Sequence, residues 1–190
     1  PMSQRPEIDR WILSELNTLV KNVDACYNDY EPTKAGRLIQ DFVIDNVSNW
    51  FVRLSRKRFW GSAMSVDKLS AYQTLYTCLE TVAKLMAPIA PYYADRLYTD
   101  LTAATDRADA ESVHLATFPI SNESMIDASL EYRMKLAQQI TSMVLSLRKK
   151  EKIIVRQPLQ SISIPVGDAE RQNGIEAVKQ LILDEVNVKE

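Results

Sequence analysis

In the run WFVRLSRKRFW, residues 50–60, four cations, Arg53, Arg56, Lys57 and Arg58, lie between the aromatic pairs Trp50–Phe51 and Phe59–Trp60. Guanidinium and ammonium groups neutralise phosphate and aromatic rings stack on unpaired bases, so this mixture suits a nucleic-acid backbone and a splayed base. A blander use competes with it. Cations in a last helical turn complement the helix dipole, and Phe59 with Trp60 can pack beneath the following loop. A second basic group, Arg148, Lys149, Lys150, Lys152 and Arg156, stands further along the chain. Two such clusters in a chain of formal net charge -2 imply that charge is sorted onto a face, which matters more for binding than the total.

No arrangement of residues completes an active site. The single histidine, His114, has Ser112 and Glu111 near it in sequence, but a triad depends on convergence in space that proximity in sequence does not provide. Asp41 and Asp45 share a helix face as an i,i+4 pair, which ordinarily means a solvated face with mild repulsion. The four glycines are scattered, so no phosphate-cradling loop exists. Cys26 and Cys78 are too few for a disulfide framework and lack partners at metal-ligand spacing, which points to a reducing compartment. With no run of eighteen apolar residues and no secretory core at the start, the chain reads as cytosolic, without a membrane partner.

The elements that must position these residues are helical. Ile12, Leu16, Leu19, Val23, Cys26 and Tyr30 alternate spacings of four and three, which predicts one helix with a buried seam. Pro32 ends it, Thr33 is placed to cap the next helix, and a stripe of Ile39, Val43, Val47, Trp50 and Leu54 carries that helix to Trp60, with Gly61 after its end. At 100° per residue, Asn49, Arg53, Arg56 and Trp60 share a strip about 60° wide beside the core stripe, with Arg58 on the opposite flank and Lys57 beyond the core.

A third helix opens near Val66 and buries Leu75, Leu79, Val82, Met86 and Ile89. Pro88 and Pro91 must break it before Tyr92, and the expected arrangement is a kink packed inside the bundle rather than an apolar groove for another polypeptide. A polar loop over 102–127 leads to a cap at Asp127 and to a fourth helix with Leu130, Met134, Ala137, Ile140, Val144 and Leu147 inward. Alternation at Ser161, Ile162, Ser163 and Ile164 predicts a short strand, a helix from Ala169 to Glu185 buries Ile175, Val178 and Ile182, and EVNVKE reads as a second strand. The expected fold is mainly α: an antiparallel bundle of four or five long helices over 1–152, followed by a small strand-helix-strand segment over 153–190.

The segments DRWILSELNTLV, RLIQDFVIDNVSNWFVRLSRKRFW, MAPIAPYYAD and VRQPL, in that order and spacing from Asp9 to Pro158, resemble the isoleucyl-tRNA synthetases of class I in the region that follows the catalytic core. The double-proline element is common to the valine and leucine enzymes as well; the long second segment is the specific one. The resemblance implies a bundle that binds the anticodon stem-loop of isoleucine tRNA, within a longer ligase that charges that tRNA using ATP. The family's His-x-Gly-His and Lys-Met-Ser-Lys-Ser-like signatures and its editing domain are absent from these 190 residues. Cofactors, ATP with magnesium and zinc as a further candidate, would therefore belong to the parent enzyme outside this region. Partners implied are isoleucine tRNA and the other domains of the synthetase, not DNA. The tRNA-facing candidates are Arg53, Arg56, Lys57, Arg58 and Trp60, with Arg148, Lys149, Lys152, Arg156 and Gln157 as a second set. Alternatives kept open are a helical protein-interaction scaffold and the equivalent domain of a valine or leucine enzyme.

Overall fold

A computed structural model describes residues 4–61, 63–105 and 110–190. The expectations for the first three residues and for 106–109 of the long loop lie outside the described residues. The described chain is helical and divides into two compact units, Pro1–Ile126 and Asp127–Glu190. This division falls ahead of the fourth long helix, whereas the sequence expectation placed a boundary after it, at 152/153.

In the first unit, α1 (Glu7–Asn28) packs against α2 (Pro32–Asp41) and α4 (Val66–Met86), and α4 packs against α5 (Pro91–Thr105). The seam of α1 is buried at Ile12, Leu16, Leu19, Val23 and Cys26, as the spacing requires, and Trp11 and Leu13 join it. Tyr30 does not. It occupies a left-handed turn with φ 58°, 92% exposed, where Glu31 N–H bonds the Cys26 carbonyl and Tyr30 N–H bonds that of Tyr27. That pair of bonds closes the helix end and places Tyr30 at the position glycine usually takes. Glu31 rather than Thr33 then stands at the N-cap of α2, because Pro32 fits the first helical position, where no N–H is needed.

The helix begun at Pro32 continues through a π-helical segment, Phe42–Val52, to Leu54 and a turn at Ser55, and α3 (Arg56–Trp60) follows. Phe42, Val47, Trp50 and Phe51 are buried along it. Along α4 the fully buried positions are Ala71, Thr74, Cys78, Val82, Ala83 and Leu85, while Leu75, Leu79 and Met86 are half-buried and Ile89 is 43% exposed. The expected stripe was displaced because small residues let α4 approach its neighbours closely, leaving the leucines to flank that contact. A concavity of about 700 Å³ is lined by Leu69, Tyr72, Leu75, Tyr76, Leu79 and Leu101, among others. The break at Pro88 and Pro91 occurs, with Pro91 first in α5, but Tyr92 and Tyr93 are 91% and 64% exposed rather than packed inside. Each large side chain taken out of water, such as Trp11, Phe51 or Tyr98, contributes about 1.5–3 kcal/mol.

The second unit holds α6 (Ala128–Lys150), α7 (Ala169–Ala177) and α8 (Lys179–Val186). Asp127 caps α6 as expected, accepting from Leu130 N–H at 3.0 Å. Leu130, Met134, Ala137 and Ile140 are buried, whereas Leu147 is 60% exposed. Ile175, Val178 and Ile182 are buried as expected, with the helix interrupted at Val178. The predicted strand-helix-strand segment is not formed: among the described residues there is no strand, only an isolated parallel bridge between Leu159 and Val188. The alternation had the right faces, since Leu159 and Ile162 pack on Leu183, Val186 and Val188. The ladder is confined to residues 159–162 and 187–190, bracketed by Pro158 and Pro165, and so short a pairing does not propagate.

Candidate nucleic-acid interface

Ser55 is fully buried, with φ -85° and ψ 4°, and its carbonyl accepts from Arg58 and Phe59 N–H to start α3. The short helix is held down by Phe59, whose ring meets Phe51 edge-on at 6.2 Å and Tyr72 at 5.1 Å. Anchoring one aromatic frees the other: Trp60 is 74% exposed, and the Arg56 guanidinium lies 4.9 Å from its ring centre. Arg53 lies 5.9 Å from the Trp50 ring. Arg53, Arg56 and Lys57 are all exposed. The single strip computed at 100° per residue does not carry over, because i→i+5 winding through residues 42–52 and the turn at Ser55 both change the phase.

Arg58 points the other way. Its Nη1 and Nη2 donate to the two oxygens of Asp9 at 2.6 and 3.0 Å, and its Nε donates to both oxygens of Asp67 at 2.9 and 3.0 Å. Nη1 also reaches Ser55 Oγ and Nη2 the Asp67 carbonyl. A guanidinium has five N–H donors, and here all five are engaged. Asp9 is fully buried and accepts a further bond from Ser70 Oγ at 2.8 Å. Burial pushes the Arg58 pKa down, but the hydrogen bonds to Asp9 and Asp67 outweigh it and the net shift is upward. Asp9, Asp67 and Ser70 were missed from sequence. An aspartate in a first helical turn ordinarily reads as a partner for the helix dipole, and nothing in its spacing marked it as buried.

The second basic cluster has the same division of labour. At the end of α6, Lys152 takes a left-handed φ of 58°, Ile153 N–H bonds the Arg148 carbonyl and Lys152 N–H that of Lys149. The chain thereby turns back over Arg148, which is 3% exposed and donates through Nη2 to the carbonyls of Ile154, Val155 and Gln157. Its Nε and Nη1 are buried without a partner. Lys149, Lys152, Arg156 and Gln157 are exposed.

The sequence model of the anticodon-binding domain of tRNA ligases matches residues 9–163. The chain belongs to that family. This anticodon-binding domain is 71% identical over 190 residues to a protein named isoleucine–tRNA ligase from Bacteroides thetaiotaomicron, and 62% identical over 190 residues to one from Porphyromonas gingivalis. Over 184 residues, 97% of the chain, it is 47% identical to the isoleucine–tRNA ligase of Dehalococcoides mccartyi. Those matches take in all of the chain in the first two cases, yet it spans only 16% of the length of each of those relatives and 18% of the third.

The remaining chemical candidates of the anticodon-binding domain are structural. Ser112 Oγ donates to Asp95 at 2.6 Å and accepts from His114 N–H, so it ties the loop at 110–116 to α5 rather than meeting the imidazole. The Ser112 hydroxyl and then the Val113 N–H, which also bonds Asp95, hold that carboxyl below its ordinary value of 3.8. Asp41 and Asp45 are exposed. Burial, reinforced by Asp9, pushes the Cys78 thiol up to about 12, which keeps it protonated and unreactive. Among the described residues no group of acidic, histidine or cysteine side chains is arranged to hold a metal, and no helix is long and apolar enough to cross a membrane.

Proposed function

We propose that this chain is the part of an isoleucine–tRNA ligase that holds the anticodon stem-loop of isoleucine tRNA while the parent enzyme charges the other end of that tRNA with isoleucine at the expense of ATP. The observation that carries the reading is the exposed tip made of Arg53, Arg56, Lys57 and Trp60 on a domain of the anticodon-binding family. Exposed guanidinium and ammonium groups supply affinity by displacing counterions from phosphates, and bases unstacked from an RNA loop supply selection through stacking and edge contacts. Trp60, already lying against Arg56, offers a flat platform worth about 1–3 kcal/mol to a stacked base.

Lys149, Lys152, Arg156 and Gln157 form the second proposed contact set. Arg58 and Arg148, whose donors are directed inward, shape the two surfaces from behind. In this reading the reaction itself belongs to other domains of the parent, as do ATP, magnesium and any zinc, and those domains are the chain's protein partners. The isoleucine assignment, over a valine or leucine enzyme, rests on the relatives' shared name and their identity.

A low-salt titration of isoleucine tRNA against the same tRNA with an exchanged anticodon tests the proposal. Tighter binding of the cognate anticodon, weakened by Arg53→Ala with Arg56→Ala, is expected. Equal affinity for both tRNAs, untouched by the double substitution, would overturn it.

A further inference from the structure

We infer that Asp9 is a positioning residue for RNA binding: through Arg58 it fixes the short helix α3, and so the direction in which Arg56 and Trp60 face. The inference rests on the tRNA-binding reading above and adds to it a residue that does not touch RNA.

Three observations support it. Helix α3 has only five residues, too few to hold its own orientation, because a first helical turn costs more than its hydrogen bonds return. Its orientation therefore comes from side chains, of which there are two inward-facing ones, Phe59 and Arg58. Phe59 supplies apolar contact with Phe51 and Tyr72, which resists lifting but does not define an angle well. Arg58 supplies the angle: a planar fork gripped on one edge by Asp9 and on another by Asp67 has little freedom to rotate.

The second observation is where the acceptors come from. Asp9 lies in the first turn of α1 and Asp67 in the first turn of α4, and Ser70 of α4 bonds Asp9 as well. Arg58 thus ties α3 to the beginnings of the two longest helices of its unit. Third, Asp9 is completely buried, so it has no route to a phosphate, and its negative charge would repel one. Its neighbours on the other side of α3, Arg56 and Trp60, are exposed.

The test uses the full-length ligase and an isoleucine tRNA transcript, with affinity measured across a series of salt concentrations well below the melting temperature. Asp9→Asn is expected to weaken binding roughly tenfold, the scale on which loss of a supporting partner or a small misplacement acts. The slope of log affinity against log salt should stay at the wild-type value, since no phosphate contact is lost. A purely stabilising Asp9 would lower the melting temperature and leave affinity unchanged, which would overturn the inference. So would a slope reduced by about one in Arg58→Gln, because that is the signature of a direct phosphate contact. Should Asp9→Asn fail to fold, Asp67→Asn removes the half-exposed carboxylate instead, with a smaller affinity loss and an unchanged slope expected, and wild-type affinity counting against the idea. Absence of tRNA binding by the unaltered ligase would overturn both readings, whereas normal binding insensitive to Asp9 overturns this one alone.

Discussion

Arg58 and Arg148 are both arginines drawn inward from a basic cluster, and they are held by opposite means. Arg58 meets two carboxylates, one of them fully buried; Arg148 meets only backbone carbonyls of an exposed turn and leaves two nitrogens unpartnered. A buried charge with an opposite charge beside it is a mutual dependence, and removing either partner strands the other. A buried guanidinium that gathers carbonyls is a one-sided arrangement, because those carbonyls can turn to water when it goes. The two surfaces outside differ in parallel: Trp60 stands among the cations of the first, and residues 148–157 contain no aromatic at all.

The largest effect expected from this contrast is on stability. Arg58→Ala leaves the Asp9 carboxylate buried with Ser70 as its remaining donor, and should cost about 3–5 kcal/mol in urea unfolding. Arg148→Ala frees carbonyls of the exposed residues Ile154, Val155 and Gln157, and should cost about 1–2 kcal/mol. Equal costs would dissolve the distinction. On binding, Trp60→Ala should lose about 1–3 kcal/mol and reduce discrimination between anticodons, because stacking is removed. Lys149→Ala with Lys152→Ala should weaken all tRNAs alike and lower the salt slope by about one to two, as expected for charges that read no base; a change in anticodon preference would assign selection to the second surface too.

The smallest effect concerns a third carboxylate, Asp95. Its pKa is depressed in the folded state, so its contribution to stability is present above 3.8 and lost as pH falls below that value through the lower folded one. Ser112→Ala removes the largest cause, and a carbon NMR titration of Asp95 should then move back toward 3.8. An unmoved titration would mean that the Val113 N–H suffices.

Helix starts, the break at Pro88–Pro91, the Asp127 cap and the outward placement of Arg53, Arg56, Lys57 and Trp60 were legible in the sequence because each follows from local chemistry: a missing N–H, a capping oxygen, a run of cations. What was not legible depends on close approach in three dimensions. Ala71, Thr74 and Cys78 are small or weakly apolar, so a pattern search that favours leucine passes over the most buried stripe of α4. Within the basic runs, Arg58 and Arg148 look no different from their neighbours, and only the folded chain shows which member of each run has turned inward. The strands failed for a related reason: alternation fixes which side chains face inward at Ile162, but a ladder also needs a partner long enough to pair with.

The π-helical stretch Phe42–Val52 has a bearing on natural variation in length. Winding with i→i+5 bonds accommodates one residue more than the corresponding α-helical turn. Losing a single residue there would let the stretch relax to ordinary winding and rotate everything after it by about 100° per residue removed. Substitutions along the stretch are tolerable so long as its inward face stays apolar. Deletions are not, because Arg53 would swing away from its present direction while α3 remained fastened to α1 and α4. Relatives of this chain should therefore vary freely in spelling between residues 42 and 52, and keep its length constant.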